Sequence, residues 1–280
     1  MPTKFRIVFF TVAALGLIAA SAEADHAWGT YHWARTANPF TLQLGDNLSS
    51  QWDSYLATAS SDWSQSGVLD TIIAAGRSSP RTCRPTAGRV EICNSRYGRN
   101  GWLGIASVWV NASGHITQGA VRMNDTYFST VQYNTPAWRN LVLCQEIGHT
   151  FGLAHQDENF SNAPLGSCMD YSSNPTPNQH PNQHDYDQLE LIYNHADTTT
   201  TLRSTAAALR ARVDVPALAN LATLNLAREE DETAAEWGER IQHSARERTS
   251  VYKKDAGRGE TVFTFVIWAD ETADGHEHDH

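Results

Sequence analysis

Residues 145–155 carry side chains that could hold a metal ion, and they read Gln-Glu-Ile-Gly-His-Thr-Phe-Gly-Leu-Ala-His. On an α-helix, positions 145 and 149 differ by about 40° of rotation and roughly 6 Å of rise, so the side chains of Gln145 and His149 can converge on one ion. Gly152 can end the helix in a left-handed conformation, after which the chain can turn His155 back toward the same ion. Two imidazoles in this arrangement suit zinc.

Glu146 lies beside these donors and could act on a water molecule rather than on the metal. Its carboxylate projects from the neighbouring helical position, where it could take a proton from a metal-bound water. Gln145 is the weak member of the set, because an amide oxygen is a neutral and poorer zinc donor than an imidazole. The spacing therefore indicates a hydrolytic zinc site with one unusual ligand.

The segment resembles the metzincin clan of zinc endopeptidases, whose motif H-E-x-x-H-x-x-G-x-x-H is followed by a Met-turn. Here the match is E-x-x-H-x-x-G-x-x-H preceded by Gln145, and residues 167–171, Ser-Cys-Met-Asp-Tyr, are similar to the Met-turn. The resemblance covers about residues 30–195, in the order of the matrixin-like branch. It implies that Met169 lies beneath the metal site and that Tyr171 supports the oxyanion formed during catalysis.

The resemblance implies a secreted zinc endopeptidase, with zinc as its cofactor and a peptide or protein as its substrate. Gln145 leaves a second hypothesis open, in which the protein keeps the metzincin shape but binds peptides or another protein without cleaving them. Retention of Glu146 favours the peptidase. A substitute third ligand could come from a nearby polar side chain or a cysteine thiolate, and the candidates are Asp157, Glu158, His180, His184, Cys144 and Cys168.

The elements that must position this site can be predicted from capping residues and hydrophobic periodicity. Thr135 and Pro136 are typical of a helix start and precede the metal motif. Further strands are predicted at 40–44, 102–110 and 115–123, and further helices at 50–63 and 184–193, the last from its similarity to the closing metzincin helix.

These elements indicate an α+β or α/β fold. The resemblance favours α+β with the α/β-type sheet of a metzincin catalytic domain, and it implies a twisted, mostly parallel sheet with long helices, a zinc helix and a Met-turn. Metzincin peptidases bind their substrate as an extended strand along a sheet edge, and residues 115–123 are the predicted edge.

Four cysteines predict two disulfides, since an even count in an exported chain favours pairing. We expect Cys83 to pair with Cys93 and Cys144 with Cys168, which is one of three possible connectivities. The second bond would clamp the metal helix to the Met-turn, because its cysteines directly precede a predicted donor and the methionine of the turn. The first would close a loop whose surrounding six arginines, within residues 77–99, are expected to be solvated.

The chain has 280 residues and a formal net charge of −10, with 41% hydrophobic and 19% charged residues. This composition is typical of a globular protein and argues against nucleic acid or an anionic membrane as a partner. Residues 1–24 are predicted to be a secretory signal peptide, because basic residues precede an apolar run too short to span a membrane. We therefore expect a secreted or periplasmic protein, with no membrane contact after signal removal and an oligomeric state that the sequence does not indicate.

Residues 25–195 are predicted to form the metzincin-like domain, and residues 196–280 a C-terminal extension that begins with a linker at 197–201. Val262–Trp268 is so apolar that it is expected to pair with a sheet or to pack on the first domain, because an isolated strand of this kind would aggregate. The extension is also expected to contain helices at 206–212 and 217–227, an acidic stretch at 228–239 and a disordered acidic tail. Weak metal binding by His276, His278 and His280 is the alternative for that tail.

Overall fold

The computed structural model describes residues 26–160, 162–204, 234–244 and 248–270. The predicted signal peptide, the helices expected at 206–212 and 217–227, the acidic tail and the first half of the stretch 228–239 lie outside these residues. Within the described ranges, no helix is both long and apolar enough to cross a bilayer.

The described parts of the chain contain nine strands, four helices and a short 3-10 helix at Ala234–Trp237. The strands are β1 His32–Trp33, β2 Phe40–Asn47, β3 Leu69–Ala75, β4 Val90–Ser95, β5 Trp102–Val110, β6 His115–Asn124, β7 Glu239–Ser244, β8 Thr249–Gly257 and β9 Glu260–Trp268. The helices are α1 Asp53–Trp63, α2 Asp125–Phe128, α3 Pro136–His149 and α4 Gln183–Ile192. All the strands and helices predicted within the described ranges are confirmed, with bounds that differ by a few residues.

All nine strands belong to one sheet, in the order β3-β2-β4-β6-β5-β9-β8-β7, with β1 paired to β6. The pairs among β1, β2, β3, β4 and β6 are parallel, whereas every pair that includes β5, β7, β8 or β9 is antiparallel. The expected mostly parallel sheet is therefore wrong, and the fold is α/β with a mixed sheet. The physical reason is connection length, since a tight turn such as the one at residues 111–114 can join only antiparallel neighbours.

The edge strand predicted at residues 115–123 is also not an edge, because β6 lies between β4 and β5. Its neighbour β5 is covered in turn by β9, which pairs with it from Trp102↔Trp268 to Val110↔Thr261. The prediction that Val262–Trp268 pairs with a sheet is thus confirmed. By pairing there, β9 occupies backbone N–H and C=O groups that β5 would otherwise expose.

The main hydrophobic core lies where α1 and α3 pack on the sheet, and it contains the fully buried Trp33, Trp52 and Trp63. Alternate residues of β9 contribute to two different clusters. Phe263, Phe265 and Ile267 join the main core, whereas Val266 and Trp268 join a smaller cluster with Trp102, Ile105, Trp237 and Tyr252. Because both faces of β9 are covered, its sequence is a continuous apolar run rather than an alternating one.

The predicted disulfide between Cys83 and Cys93 is formed, with Cα atoms 5.8 Å apart. Five of the six arginines around it are exposed, as expected for a solvated loop. Arg89 is the exception, because it lies buried on the sheet, where its Nε is 3.1 Å from an oxygen of the buried Glu91. The expectation of a wholly solvated arginine set is wrong for this residue, whose charge is compensated by an ion pair.

Candidate active site

Helix α3 positions three of the predicted site residues and begins where the sequence indicates. The Thr135 hydroxyl oxygen accepts a hydrogen bond from a backbone N–H of the first turn, and Pro136 is the first helical residue. Gly152 ends the turn that follows with φ of +100°, and a Cβ atom there would lie 2.7 Å from the Tyr31 carbonyl oxygen. Both the left-handed conformation and the close backbone approach require glycine.

The chain beyond Gly152 turns back and brings His155 against α3. The rings of His149 and His155 lie edge to face with centroids 4.6 Å apart, and Gln145 Nε2 is 3.0 Å from His155 Nε2. Because an amide nitrogen only donates, His155 Nε2 is the acceptor in this orientation of the Gln145 amide and carries a lone pair. His149 Nδ1 lies 2.8 Å from the Leu153 carbonyl oxygen and must donate to it, which leaves Nε2 unprotonated in the neutral ring. The structure thus brings the three predicted ligands together, with one unprotonated nitrogen on each imidazole.

Burial keeps both imidazoles neutral. It lowers the pKa of His149 to about 4, a change that the hydrogen bond to Leu153 partly opposes. It also lowers the pKa of His155 well below its usual range, with a further contribution from the neighbouring His149. The cause is that a charged imidazolium loses its hydration in the core. At neutral pH both rings are therefore in the form that binds a metal.

Glu146 is completely buried and faces β5. Burial raises the pKa of its carboxyl group well above the usual range, and the backbone of Ala106 offsets this only in part. Neither oxygen makes a well-formed hydrogen bond to a described residue. A Cβ atom at Gly104 would lie 3.0 Å from Glu146 Oε1, so the glycine leaves the room that this carboxyl group occupies.

Met169 lies directly against α3, as the Met-turn resemblance implies. A Cβ atom at Gly148 would stand 2.5 Å from Met169 Sδ, so the glycine allows the methionine to approach the helix. The predicted disulfide between Cys144 and Cys168 joins the same helix to the same turn, with Cα atoms 5.9 Å apart. These two contacts fix the turn relative to the helix that carries the donors.

Tyr171 is buried beside His155, with ring centroids 3.9 Å apart. Its ring also stacks on that of Phe160, at a centroid distance of 5.2 Å. The structure therefore places Tyr171 next to His155.

Asp185 on α4 organises this region, and the sequence analysis did not identify it. Its Oδ1 accepts from Gln156 Nε2 at 2.8 Å and lies 3.1 Å from His26 Nε2. Its Oδ2 accepts from Ser167 Oγ at 2.6 Å and from the Asn182 backbone N–H at 2.8 Å. One buried carboxylate thereby connects the residue after His155, the Met-turn and the start of α4. The capping-box spacing of Asn182 and Asp185 was the available sign of a structural aspartate.

The side chain of Phe265 covers His149, and this contact was not foreseen from the sequence. The two rings are stacked at a centroid distance of 4.3 Å and an interplanar angle of 13°. Phe263 and Phe265 of β9 also contact Trp28, each at a centroid distance of about 5 Å (5.1 and 5.2 Å). Together with the pairing of β9 to β5, these contacts cover His149 from the side of the C-terminal strands.

The substitute ligands considered from the sequence lie elsewhere. His180 Nδ1 is 2.7 Å from Asp62 Oδ2, and the ring of His184 stacks on that of His26 at 4.8 Å. Asp157 caps its own loop and Glu158 accepts from Gln242, while both thiols at 144 and 168 are in the disulfide. Among the residues that the structure describes, no Cys, Asp or Glu and no further His joins the pair His149 and His155 as a third close donor.

The residues around His149 and His155 fit a zinc ion because they include buried oxygens without well-formed hydrogen bonds to described residues. Gln145 Oε1 and both Glu146 oxygens are buried acceptors without well-formed hydrogen bonds, next to two neutral imidazoles. Burying a hydrogen-bond acceptor costs free energy unless a donor or a cation contacts it. The oxygen and nitrogen of the Gln145 amide exchange places by a half-turn of the side-chain end, so the amide can present its oxygen instead of its N–H. Gln145 would then be the third ligand.

Comparison with known proteins finds a weak structural likeness. No protein-family model matches the chain, and no curated protein matches its sequence. One solved structure that it resembles is high choriolytic enzyme 1, a hatching enzyme zinc-protease from Oryzias latipes, the medaka fish. The identity is 12% and the TM-score 0.33, over 61% of this chain and 98% of the other. A likeness at this level establishes neither fold nor activity.

Proposed function

We propose that the chain is a secreted, zinc-dependent endopeptidase of the metzincin type whose own C-terminal strands, β7, β8 and β9, cover the substrate edge. The observation that carries the proposal is the group of buried acceptors around two neutral imidazoles, Gln145 Oε1 and the two oxygens of Glu146. Most buried acceptors in folded proteins are paired with donors. A cation and an attacking water would satisfy all of them.

In this proposal, His149, His155 and Gln145 hold the zinc ion. When bound, zinc polarises the scissile carbonyl and lowers the pKa of a water toward about 7. Glu146 accepts a proton from the attacking water and passes it to the leaving amine. Burial raises the pKa of this carboxyl group well above its usual range, so it holds a transferred proton more readily than an exposed carboxyl group does. Tyr171, which lies against His155, donates to the developing oxyanion.

The substrate would pair with β5 in the place that β9 takes in the described form. Metzincin peptidases hold a peptide as an added strand, and β5 is the strand that runs beside α3. Peptide entry therefore requires the C-terminal strands to leave β5. In this scheme residues 25–195 form the peptidase domain, residues 1–24 direct export, and residues 196–280 are an extension that supplies the cover. The two disulfides suit an oxidising compartment.

The test combines zinc content with cleavage of casein by the mature protein. We expect His149→Ala to bind one zinc equivalent fewer than wild type. Glu146→Gln should keep its zinc but cleave casein about 10²-fold to 10⁴-fold more slowly. The Gln variant keeps the shape of the carboxyl group, so its fold should be unchanged. Equal zinc content in wild type and His149→Ala would contradict the metal site, and equal rates in wild type and Glu146→Gln would contradict the mechanism.

The second candidate function is a metzincin-shaped protein that binds peptides or another protein without cleaving them. The stacking of Phe265 on His149 and the pairing of β9 with β5 favour it, because both obstruct the site. This candidate expects no casein cleavage even when β9 is loosened and zinc is supplied. Binding of an unstructured peptide without hydrolysis would then be the observable activity.

A further inference from the structure

Four metal-binding side chains meet at a second place, remote in sequence from residues 145–155. His32 on β1 and His115 on β6 are register partners in the sheet. His195 and Asp197 come from the segment that follows α4. Asp197 Oδ1 lies 3.4 Å from His32 Nε2, 3.5 Å from His115 Nε2 and 3.8 Å from His195 Nε2.

The ring nitrogens of this cluster face one another and a carboxylate oxygen. His32 Nδ1 lies 3.0 Å from the Thr30 carbonyl oxygen and must donate to it, so Nε2 is unprotonated in the neutral ring. This Nε2 atom is 3.2 Å from His195 Nε2, and both lie near Asp197 Oδ1. Arg35 Nη1 is 3.5 Å from His195 Nε2. A cation placed among the three atoms would accept lone pairs from both imidazoles and from the carboxylate.

The spacing of these atoms matches a tetrahedral zinc shell. With Zn–N and Zn–O distances of about 2.0–2.1 Å, neighbouring donors in a tetrahedron are about 3.3–3.4 Å apart. The three separations among His32 Nε2, His195 Nε2 and Asp197 Oδ1 are 3.2, 3.4 and 3.8 Å, which bracket this value. Two or three imidazoles with one carboxylate are also a donor set that zinc accepts.

The carboxylate is held so that a single oxygen faces the histidines. Asp197 Oδ2 accepts from Arg35 Nη1 at 2.8 Å and from the Arg35 backbone N–H at 3.1 Å. The Arg35 side chain is itself buried and donates to the Tyr193 carbonyl oxygen at 3.0 Å. Such outer contacts orient ligands in known metal sites. Asp197 Oδ1 therefore faces the histidines and can coordinate an ion there.

We propose that His32, His195 and Asp197 bind a zinc ion. The site is open to metal from solution, because the His195 side chain is 43% exposed. It is separate from the candidate active site and does not depend on the proposed peptidase activity. We assign the ion a structural role, because it would join β1 to the segment that follows α4.

The bound ion would fasten β1 and the end of α4 to the chain around the C-terminal end of α3. Trp33 follows His32 and donates from Nε1 to the Thr150 carbonyl oxygen at 2.8 Å. The Tyr193 hydroxyl donates to the Phe151 carbonyl oxygen at 2.9 Å. Zinc at the cluster would thereby support the turn that brings His155 back toward His149.

The test is zinc binding by the chelator-treated, full mature chain. In the His149→Ala background, which removes the active-site ion, we expect one zinc equivalent and a higher melting temperature when zinc is added. His149→Ala with His195→Ala should lose both effects. His149→Ala with His180→Ala is the matched control, because His180 is also an exposed histidine paired with an aspartate, and it should keep both.

Two results would overturn the proposal. One is equal zinc binding with and without His195, which would mean that the cluster holds a proton instead. The other is an anomalous difference map, recorded at the zinc edge from zinc-soaked wild-type crystals, with no peak among the four side chains. This second measurement needs no variant, so it decides the question even if a variant fails to fold. Loss of zinc on His149→Ala tests the active site separately, so either proposal can fail alone.

Discussion

Truncating Phe265 should open the site, and the structure sets the size of the effect. The Phe265 side chain is 3% exposed and packs on His149 and Trp28, so Phe265→Ala should cost about 3–5 kcal/mol of local stability. If β7, β8 and β9 detach from β5 as a unit, the lost stability shifts the equilibrium from the closed form, in which β9 pairs with β5, toward the open form. Because each 1.4 kcal/mol is a factor of ten, 3 kcal/mol raises the open fraction about 10²-fold. We therefore expect zinc-loaded Phe265→Ala to cleave casein about 10²-fold faster than wild type.

Leu69→Ala is the matched control, because Leu69 is equally buried but lies on β3, at the other end of the sheet from the C-terminal strands. It should lower the free energy of unfolding by about 2–5 kcal/mol without raising the rate of cleavage. Hydrogen exchange should show faster exchange of β9 amides in Phe265→Ala only. Equal acceleration in both variants would mean that general unfolding, rather than release of β9, exposes the site. Fast exchange of β9 without cleavage would refute the peptidase and leave the binding function.

Three further predictions concern the ligands, pH and the second disulfide. Gln145→His should bind zinc at least about tenfold more tightly in a competition titration, because an imidazole replaces a neutral amide; unchanged affinity would show that Gln145 is not a ligand. In the presence of a chelator, the free energy of unfolding should fall by about 3 kcal/mol as the pH drops from about 6.5 through 4. The reason is that His149 has a pKa of about 4 in the folded protein and stays neutral there, whereas the same histidine in the unfolded chain takes up a proton. Urea titrations at several pH values would measure this, and the same pH dependence in His149→Gln would contradict it. Replacing both Cys144 and Cys168 by Ala should cost about 3.4 kcal/mol from the entropy of a loop of 24 residues. The other disulfide closes a loop of 10 residues and should cost about 2.7 kcal/mol, so a reversed order in denaturant unfolding would count against this account.

The local features of the candidate site could be predicted because each is encoded within a few residues. Thr135 and Pro136 start α3, and the helical repeat places Gln145 and His149 on one side of it. Gly152 has the positive φ that a turn back to His155 requires. The two disulfides followed from the cysteine count and from the positions of Cys144 and Cys168 beside a donor and the Met-turn. Short-range sterics and helix geometry decide the helix start, the spacing of the donors and the turn.

What the sequence could not decide is which distant segments meet. The apolar character of Val262–Trp268 required a partner, but many strands could satisfy that need, and only the folded sheet selects β5. The same pairing removed the predicted edge and placed Phe265 on His149. The sequence also could not predict the cluster of His32, His115, His195 and Asp197, because its members are up to 165 residues apart. Hydrophobic patterning determines that a segment is buried, whereas the register and order of strands, which only tertiary packing specifies, determine what lies next to it.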